Sequence, residues 1–111
     1  MEDCLFCKIL SGEVPCDKVY EDDKVLAFND INPAAPVHVL VIPKKHFENF
    51  VSADDVYISA IKKAVITITD QLGLSEKGYR LVFNTGDDGG QTVHHLHCHI
   101  LGGRFMEWPP G

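Results

Sequence analysis

The chain has 111 residues, 45% of them hydrophobic and 23% charged, which gives room for one compact domain (residues 1–111) with a modest core. A formal net charge of −6, from 16 acidic and 10 basic residues, argues against nucleic-acid binding, because phosphate backbones are held by clustered Lys and Arg. No apolar stretch approaches the roughly 18 residues that span a bilayer, and the acidic start of the chain is unlike a signal peptide. We therefore expect a cytoplasmic protein without a membrane partner.

The first half of the chain predicts a short helix followed by three strands. Ser11-Gly12 ends the helix, a polar turn joins the first two strands as a hairpin, and two prolines interrupt the connection to the third. In chain order, the predicted elements are a helix at 4–10, strands at Lys18–Glu21 and Val25–Asn29, a connection at 30–36, and an apolar central strand at 37–42.

The second half predicts one long helix and two more strands. The helix is expected to begin at Ser52, with Asp55 completing a capping box, and to stop at Gly73. Apolar side chains recur between these positions at the three-and-four spacing of a buried stripe. Strands at 79–84 and 93–101 follow, separated by a glycine-rich loop. The predicted fold class is α+β, an antiparallel sheet of about five strands covered by one main helix.

The C-terminal segment 102–111 is too rich in Gly and Pro for regular structure. It is either a frayed terminus or a segment that packs against the body of the protein or a partner chain. Its apolar side chains Phe105, Met106 and Trp108 favour packing, because they are costly to leave in water.

A row of histidines, His94-His95-Leu96-His97-Cys98-His99, is the most informative feature of the chain. Its alternation predicts a strand with three imidazoles on one face and Cys98 on the other. Alternate strand histidines can converge on zinc. They can also form a phosphate site, in which one imidazole attacks phosphorus while the others hold oxygens. Spacing alone does not separate the metal site from the phosphate site. The alternative to both is three polar residues on an exposed strand face.

Residues 95–101 also fit His-φ-His-φ-His-φ-φ, the motif of the histidine-triad (HIT) superfamily, and other segments resemble its Hint branch. The resemblance implies a homodimeric hydrolase, with the sheet extended across the dimer, that binds AMP- or GMP-like purine nucleotides. It would cleave nucleoside phosphoramidates and aminoacyl-adenylate-like substrates. In family order, the matching segments are Asp30-Ile31-Asn32-Pro33, Val41-Ile42-Pro43-Lys44-Lys45-His46, Asn84-x-Gly86-x-x-Gly89-Gly90-Gln91 and Trp108-Pro109-Pro110-Gly111.

The resemblance assigns roles to individual residues. His97 would be the nucleophile, forming a nucleotidyl-histidine that water hydrolyses without a metal, with its tautomer held by the His95 carbonyl. Asp30 would bind the ribose hydroxyls, although it could instead cap the turn that follows it. Thr92 stands where serine is usual and keeps a hydroxyl for the leaving amine. The implied catalytic residues are His97, His99, His38 and Thr92; the implied nucleotide-binding residues are Asp30, Ile31, Asn84, Gly90, Gln91, Thr92, His97 and His99.

A second motif, Cys4-x-x-Cys7, is by its spacing either half of a metal site or a reduced thiol pair. Some members of the resembled family, many of them bacterial, hold a Cys2His2 zinc away from the nucleotide. That resemblance implies a closed structural Zn²⁺ site formed by Cys4, Cys7, His46 and His95. Such a site would pin the N-terminal helix to the sheet of a small domain.

Three other functions remain open on the sequence. A metallohydrolase would share a catalytic zinc among His95, His97 and His99 and would be inhibited by chelators. A nucleotide-binding regulator or scaffold could carry the same pocket with incidental catalysis. A dinucleoside polyphosphate hydrolase fits less well, because the C-terminal segment and Thr92 resemble the Hint branch instead.

Overall fold

An antiparallel five-stranded sheet organises the fold, with strand order β1-β2-β3-β5-β4. The computed structural model describes residues 3–111. This architecture confirms the predicted α+β class and the bounds of the first two strands. The elements are α1 (Leu5–Leu10), β1 (Lys18–Glu21), β2 (Val25–Asn29), β3 (Val37–Pro43), α2 (Asp55–Gln71), β4 (Arg80–Val82) and β5 (Cys98–Gly102).

Strand β3 lies at the centre of the sheet and, apart from His38, is apolar because both of its faces are covered. Val39 and Val41 belong to the core beneath α2. Leu40 and Ile42 alternate with them on the opposite face, where they belong to a smaller core that includes Phe6 of α1. Each helix therefore covers a different face of the sheet. No helix within residues 3–111 is long and apolar enough to cross a membrane.

Helix α2 begins three residues later than predicted, at Asp55, and the predicted capping box is wrong. The Ser52 hydroxyl accepts a hydrogen bond from the N–H of Asn49 and donates one to the carbonyl of the same residue. It is therefore committed to a local turn, an alternative to capping that serine readily takes. Asp54 occupies the N-cap position without a side-chain hydrogen bond. The predicted stop is confirmed, since Gly73 follows the C-cap with a φ of 72°.

The strand predicted at 93–101 begins only at Cys98, so the prediction that three imidazoles line one strand face is wrong. In the register of β3 and β5, Cys98 pairs with Val41, two residues before Pro43. Proline has no N–H with which to extend a ladder. The Pro43 carbonyl instead accepts a hydrogen bond from His95 Nε2 at 3.1 Å. Only His99 of the three lies within a strand. The strand predicted at 79–84 is likewise shorter, since β4 covers Arg80–Val82.

The C-terminal segment lies against β4 without burying its largest rings. The Arg80 guanidinium donates hydrogen bonds to the carbonyls of Met106 and Glu107 and lies 5.8 Å from the centre of the Trp108 ring. Phe105 and Trp108 are 85% and 79% exposed. Packing of these two rings against the body of the same chain is therefore not observed.

Candidate active site and metal centre

The histidines form two groups on either side of the Phe6 ring. Phe6 packs edge-on against His97, with ring centres 5.1 Å apart, and against His95 at 5.7 Å. His97 is followed by His99 at 4.9 Å and then by His38, 5.1 Å from His99. His95 turns the other way, toward the N-terminal cysteines. The triad that is continuous in sequence is therefore divided in space.

Hydrogen bonds set the tautomers of His38 and His99. The N–H of Ala34 donates to His38 Nδ1 at 3.0 Å, so the proton of a neutral His38 is on Nε2. That Nε2 lies 2.8 Å from His99 Nδ1 and donates to it, and Asp30 Oδ2 lies 3.5 Å from the same nitrogen. The proton of a neutral His99 is then on Nε2. His99 thus presents an N–H donor.

His97 has the opposite arrangement. Its Nδ1 lies 2.8 Å from the backbone carbonyl of His95, which can only accept, so Nδ1 carries the proton and Nε2 has a free lone pair. Burial lowers the pKa of His97 below its ordinary value. Burial also lowers the pKa of His99 to about 4, reinforced by the neighbouring His97 and His38 rings. Both rings are therefore neutral at physiological pH.

His97 and His99 lie in the wall of a cavity of about 380 Å³, which we call the His97 cavity. One side is apolar and is contributed by α1, β2 and β3, with Phe28 and Leu40 among its residues. Polar groups gather at the other side, where Asp30 and Thr92 accompany the two histidines. The volume lies in the range of small-molecule sites, and the combination of apolar wall and convergent polar groups is typical of them.

The predicted site residues do not all reach this cavity. Its lining includes five of them: Asp30, Ile31, Thr92, His97 and His99. His38 lies outside the lining and bonds His99 through its Nε2. Asp30 also caps the turn, as the alternative reading expected, since its Oδ1 accepts the N–H of Asn32 at 2.8 Å.

The loop residues predicted to bind nucleotide lie outside the cavity lining. The Asn84 side chain donates to the Gly89 carbonyl at 2.7 Å. The Gln91 side-chain amide is buried and donates to the carbonyls of Glu48 and Val93. Both side chains thus hold the glycine-rich loop and its Gly90 in place. Sequence reasoning missed the wall residues of α1, namely Leu5, Phe6 and Ile9, whose apolar pattern equally suits core packing.

The four predicted metal ligands come together as a Cys2His2 cluster (Cys4, Cys7, His46 and His95), with donor atoms all within 4.8 Å of one another. Cys4 Sγ lies 3.4 Å from His95 Nδ1, Cys7 Sγ 3.3 Å from His46 Nδ1, and the two Nδ1 atoms are 3.1 Å apart. Tetrahedral zinc would place S and N about 3.6 Å apart and two N about 3.3 Å apart. The donor set therefore fits such an ion.

Hydrogen bonds to the backbone orient two of these four predicted ligands. The His95 Nε2–H donates to the Pro43 carbonyl, which leaves Nδ1 free to bind a metal, as in other histidine metal ligands. The Cys7 N–H donates to Cys4 Sγ at 3.3 Å and holds that sulfur at the N-cap of α1. Each contact fixes the position of one donor atom of the cluster.

A single metal shared by His95, His97 and His99 does not fit this geometry. Within residues 3–111, two groups bring three or more donor atoms together, the Cys2His2 cluster and a group of Asp30, His38 and His99. His97 belongs to neither. The arrangement of the histidines therefore argues against the metallohydrolase alternative.

The fold and the site together define a small α+β protein in which a cavity lined by two histidines lies beside a Cys2His2 cluster. The family model described as the HIT domain matches residues 11–106, and the chain belongs to the HIT family. Its sequence features place it with the Hint-like members.

Similar proteins include the 14 kDa zinc-binding protein of Brassica juncea, 46% identical across 98% of this chain and 100% of that protein. The adenylylsulfatase HINT1 of Arabidopsis thaliana is 46% identical across 96% of this chain and 76% of that protein. A crystal structure of a HIT family hydrolase from Legionella pneumophila has a TM-score of 0.94 at 50% identity, covering 98% of this chain and 100% of that one.

Proposed function

We propose that the protein cleaves nucleoside 5′-phosphoramidates and related aminoacyl-adenylate-like compounds through a nucleotidyl intermediate on His97. The observation that carries this proposal is the 2.8 Å hydrogen bond from His97 Nδ1 to the His95 carbonyl. It leaves a lone pair on Nε2 of a neutral ring in the wall of a nucleotide-sized cavity. The relative named an adenylylsulfatase supports a substrate with an adenylyl group.

In the first step, His97 Nε2 attacks the α-phosphorus. The new bond joins phosphorus to the ring, and the bond from phosphorus to the substrate nitrogen breaks. The departing amine takes a proton from water, relayed by the Thr92 hydroxyl in the cavity wall. The His99 Nε2–H stabilises the charge that grows on the non-bridging oxygens, because a fixed donor needs no reorganisation as the reaction proceeds.

In the second step, water attacks the phosphorus of the intermediate. The bond to His97 breaks, a nucleoside monophosphate and a proton are released, and the ring returns to its neutral form. Histidine suits both steps because it is a good nucleophile when neutral and a good leaving group once phosphorylated. This chemistry uses the imidazoles, a hydroxyl and water.

The shape of the cavity supports a purine nucleotide such as AMP or GMP. Phe6 and Phe28, whose ring centres are 5.8 Å apart, supply aromatic surface for a flat base on the apolar side of the cavity. Asp30 keeps Oδ2 for ribose hydroxyls while Oδ1 caps the turn. Ile31, 91% exposed at the rim, can cover a bound base.

We further propose that the Cys2His2 cluster holds structural zinc. Two thiolates and two imidazoles in a tetrahedral arrangement suit that ion, and the relative named a zinc-binding protein supports the same assignment. Bound zinc would tie α1 to the sheet. Metal analysis of the purified protein should find about one zinc per chain. Less than about half an equivalent in fully folded protein would contradict this assignment.

The open edge of the sheet supports a homodimer. β4 is an edge strand, and Leu81 at its centre is 43% exposed. An exposed edge with an apolar side chain is ready to pair with another strand. We propose that the β4 edges of two copies pair and extend the sheet.

Mass spectrometry of enzyme quenched during turnover of an adenosine phosphoramidate tests the proposed reaction. We expect an adduct of one adenylyl group on the peptide that contains His97. His97→Asn should bind AMP but lose the adduct and at least about 1000-fold of the rate, since the nucleophile is gone. Near-normal turnover by His97→Asn, or an adduct on another residue, would overturn the mechanism.

A further inference from the structure

Helix α1 and its N-cap contribute side chains both to the Cys2His2 cluster and to the wall of the His97 cavity. Cys4 at its N-cap and Cys7 one turn later supply both thiols of the Cys2His2 cluster. Leu5, Phe6 and Ile9, which alternate with them, line the cavity. A six-residue helix moves as a unit. Any displacement of the thiols therefore moves a wall of the cavity.

His95 connects the two sites a second time. Its side chain is fully buried, with Nδ1 in the Cys2His2 cluster and Nε2 bonded to the Pro43 carbonyl. Its backbone carbonyl accepts the Nδ1–H of His97. The acceptor that sets the nucleophile's tautomer thus belongs to a residue whose own side chain is in the metal cluster.

The backbone around His95 is held from outside the ladder of the sheet. Strand β5 begins at Cys98, so the ladder does not hold residues 93–97. The Leu96 N–H, which belongs to the same peptide group as the His95 carbonyl, donates to the Phe47 carbonyl at 2.7 Å. Phe47 directly follows His46 of the Cys2His2 cluster, and Phe6 contacts the rings of His95 and His97 edge-on. The position of the His95 carbonyl therefore depends on where His46, the His95 ring and Phe6 are held.

We propose that the Cys2His2 cluster, through the His95 carbonyl and the Phe6 ring, positions the His97 nucleophile, so that metal occupancy controls the rate of the chemical step. This inference rests on the proposed function, in which His97 attacks phosphorus. Metal-free protein that remains folded would bind nucleotide and turn it over slowly. The cluster is then a positioning device for the reaction as well as a structural support.

A matched pair of variants at His46 tests this proposal, because His46 lies outside the cavity lining and outside the contacts of His97. His46→Cys keeps four ligands for zinc, whereas His46→Ala keeps three. Val65→Ala, which shortens a buried α2 side chain outside the cavity lining and the Cys2His2 cluster, controls for general loss of stability. Zinc content, thermal unfolding, kcat and KM are measured for each, with chelator-treated wild type alongside.

The second readout is the tautomer of His97, from long-range ¹H–¹⁵N correlation of the imidazole nitrogens at one fixed neutral pH. We expect His46→Cys to match zinc-loaded wild type in tautomer and to keep kcat within about threefold. His46→Ala and chelator-treated protein should lose about 10- to 100-fold in kcat with little change in KM. In both, a mixed His97 tautomer should replace the single Nδ1–H form. Val65→Ala should lower the unfolding temperature and leave kcat and tautomer unchanged.

The proposal is overturned if folded, zinc-free protein keeps both the kcat and the single His97 tautomer of the loaded protein. It is also overturned if Val65→Ala reproduces the losses of His46→Ala. Should His46→Ala fail to fold, a zinc titration of His46→Asp, which offers a carboxylate ligand, supplies the same comparison in folded protein. Failure of the proposed function is distinct, because zinc-loaded wild type would then form no adduct on His97 whatever the tautomer data show.

Discussion

The two histidines that face the cavity differ in chemistry because of their hydrogen-bond partners. A backbone carbonyl accepts from His97 Nδ1 and leaves its Nε2 bare. A neighbouring imidazole donates to His99 Nδ1 and leaves its Nε2 protonated. One ring can therefore attack phosphorus while the other donates to its oxygens. His38 is the source of this difference, since its own Nδ1 is occupied by the Ala34 N–H.

Replacement of His38 should slow the reaction through His99. In His38→Ala, His99 loses the donor that holds its proton on Nε2, and the phosphate loses a fixed N–H. We expect kcat to fall about 10- to 100-fold, with KM changed less than about threefold, in steady-state assays with an adenosine phosphoramidate. His94→Ala is the control, because His94 is exposed and lies outside the cavity lining. Equal losses in the two variants would contradict this role.

The depressed pKa of His99 predicts how stability depends on pH. The unfolded chain takes up a proton near the usual histidine pKa of about 6.5, whereas folded His99 resists it until about pH 4. Its contribution is thus present above about pH 6.5 and is lost as pH falls toward about 4. Relative to His99→Gln, wild type should lose on the order of 1 kcal/mol of unfolding free energy across this window, allowing for solvent screening. Parallel urea-unfolding curves at every pH would refute this.

At the scale of elements, side chains that bond the backbone decide where turns and helices begin. Asp22 shapes the β1–β2 hairpin, because its Oδ1 accepts the N–H groups of Lys24 and Val25 and its Oδ2 accepts the hydroxyl of Tyr20. The Ser52 hydroxyl likewise bonds the backbone of the turn before α2, and it is therefore not available to cap that helix. For such a side chain, bonding within a turn competes with capping a helix. Both use neighbouring backbone groups, but which of the two forms depends on the path of the chain on both sides.

Two adjacent aspartates of the hairpin test this account. Asp22→Ala should lower the free energy of unfolding by about 1–2 kcal/mol, since two backbone donors and a tyrosine hydroxyl lose their acceptor. Asp23→Ala should change it by less than about 0.5 kcal/mol, because Asp23 is exposed and its ion pair is with the neighbouring Lys24 side chain at the surface. Chemical denaturation of both variants measures the difference. Similar costs at the two positions would be contrary to this interpretation.

At the scale of the whole molecule, the two edge strands of the sheet, β1 and β4, differ in the charge of their side chains. β1 carries charged side chains that pair across the surface, with Lys18 and Lys44 both bonded to Glu21. Such charges discourage pairing with another strand. β4 has Leu81 at its centre and the apolar C-terminal segment beside it. The proposed dimer uses the second edge.

A charge at the centre of β4 should therefore weaken the dimer. We expect Leu81→Lys to shift the protein toward the monomer at micromolar concentration, because a buried lysine without a partner is costly. Asp23→Lys introduces a lysine in the exposed β1–β2 turn, at the opposite edge of the sheet, and should leave the dimer intact. Analytical ultracentrifugation of both variants measures the change. A wild-type monomer, or a Leu81→Lys protein that remains dimeric, would contradict the proposed interface.

Local signals in the sequence determined the order of the elements, the α+β class and the residue types that carry the chemistry. The β1–β2 hairpin and the stop of α2 were predicted correctly because turn residues and glycine act within a few positions. The tertiary structure alone decided how the histidines divide, since the β3–β5 ladder reaches only the pair Val41–Cys98, short of Pro43, and strand β5 therefore begins at Cys98. It also decided the tautomer of His99, because His38 reaches that ring across the β3–β5 pairing although 61 residues separate the two histidines. Hydrogen bonds between residues distant in sequence follow sheet register, which no local pattern encodes.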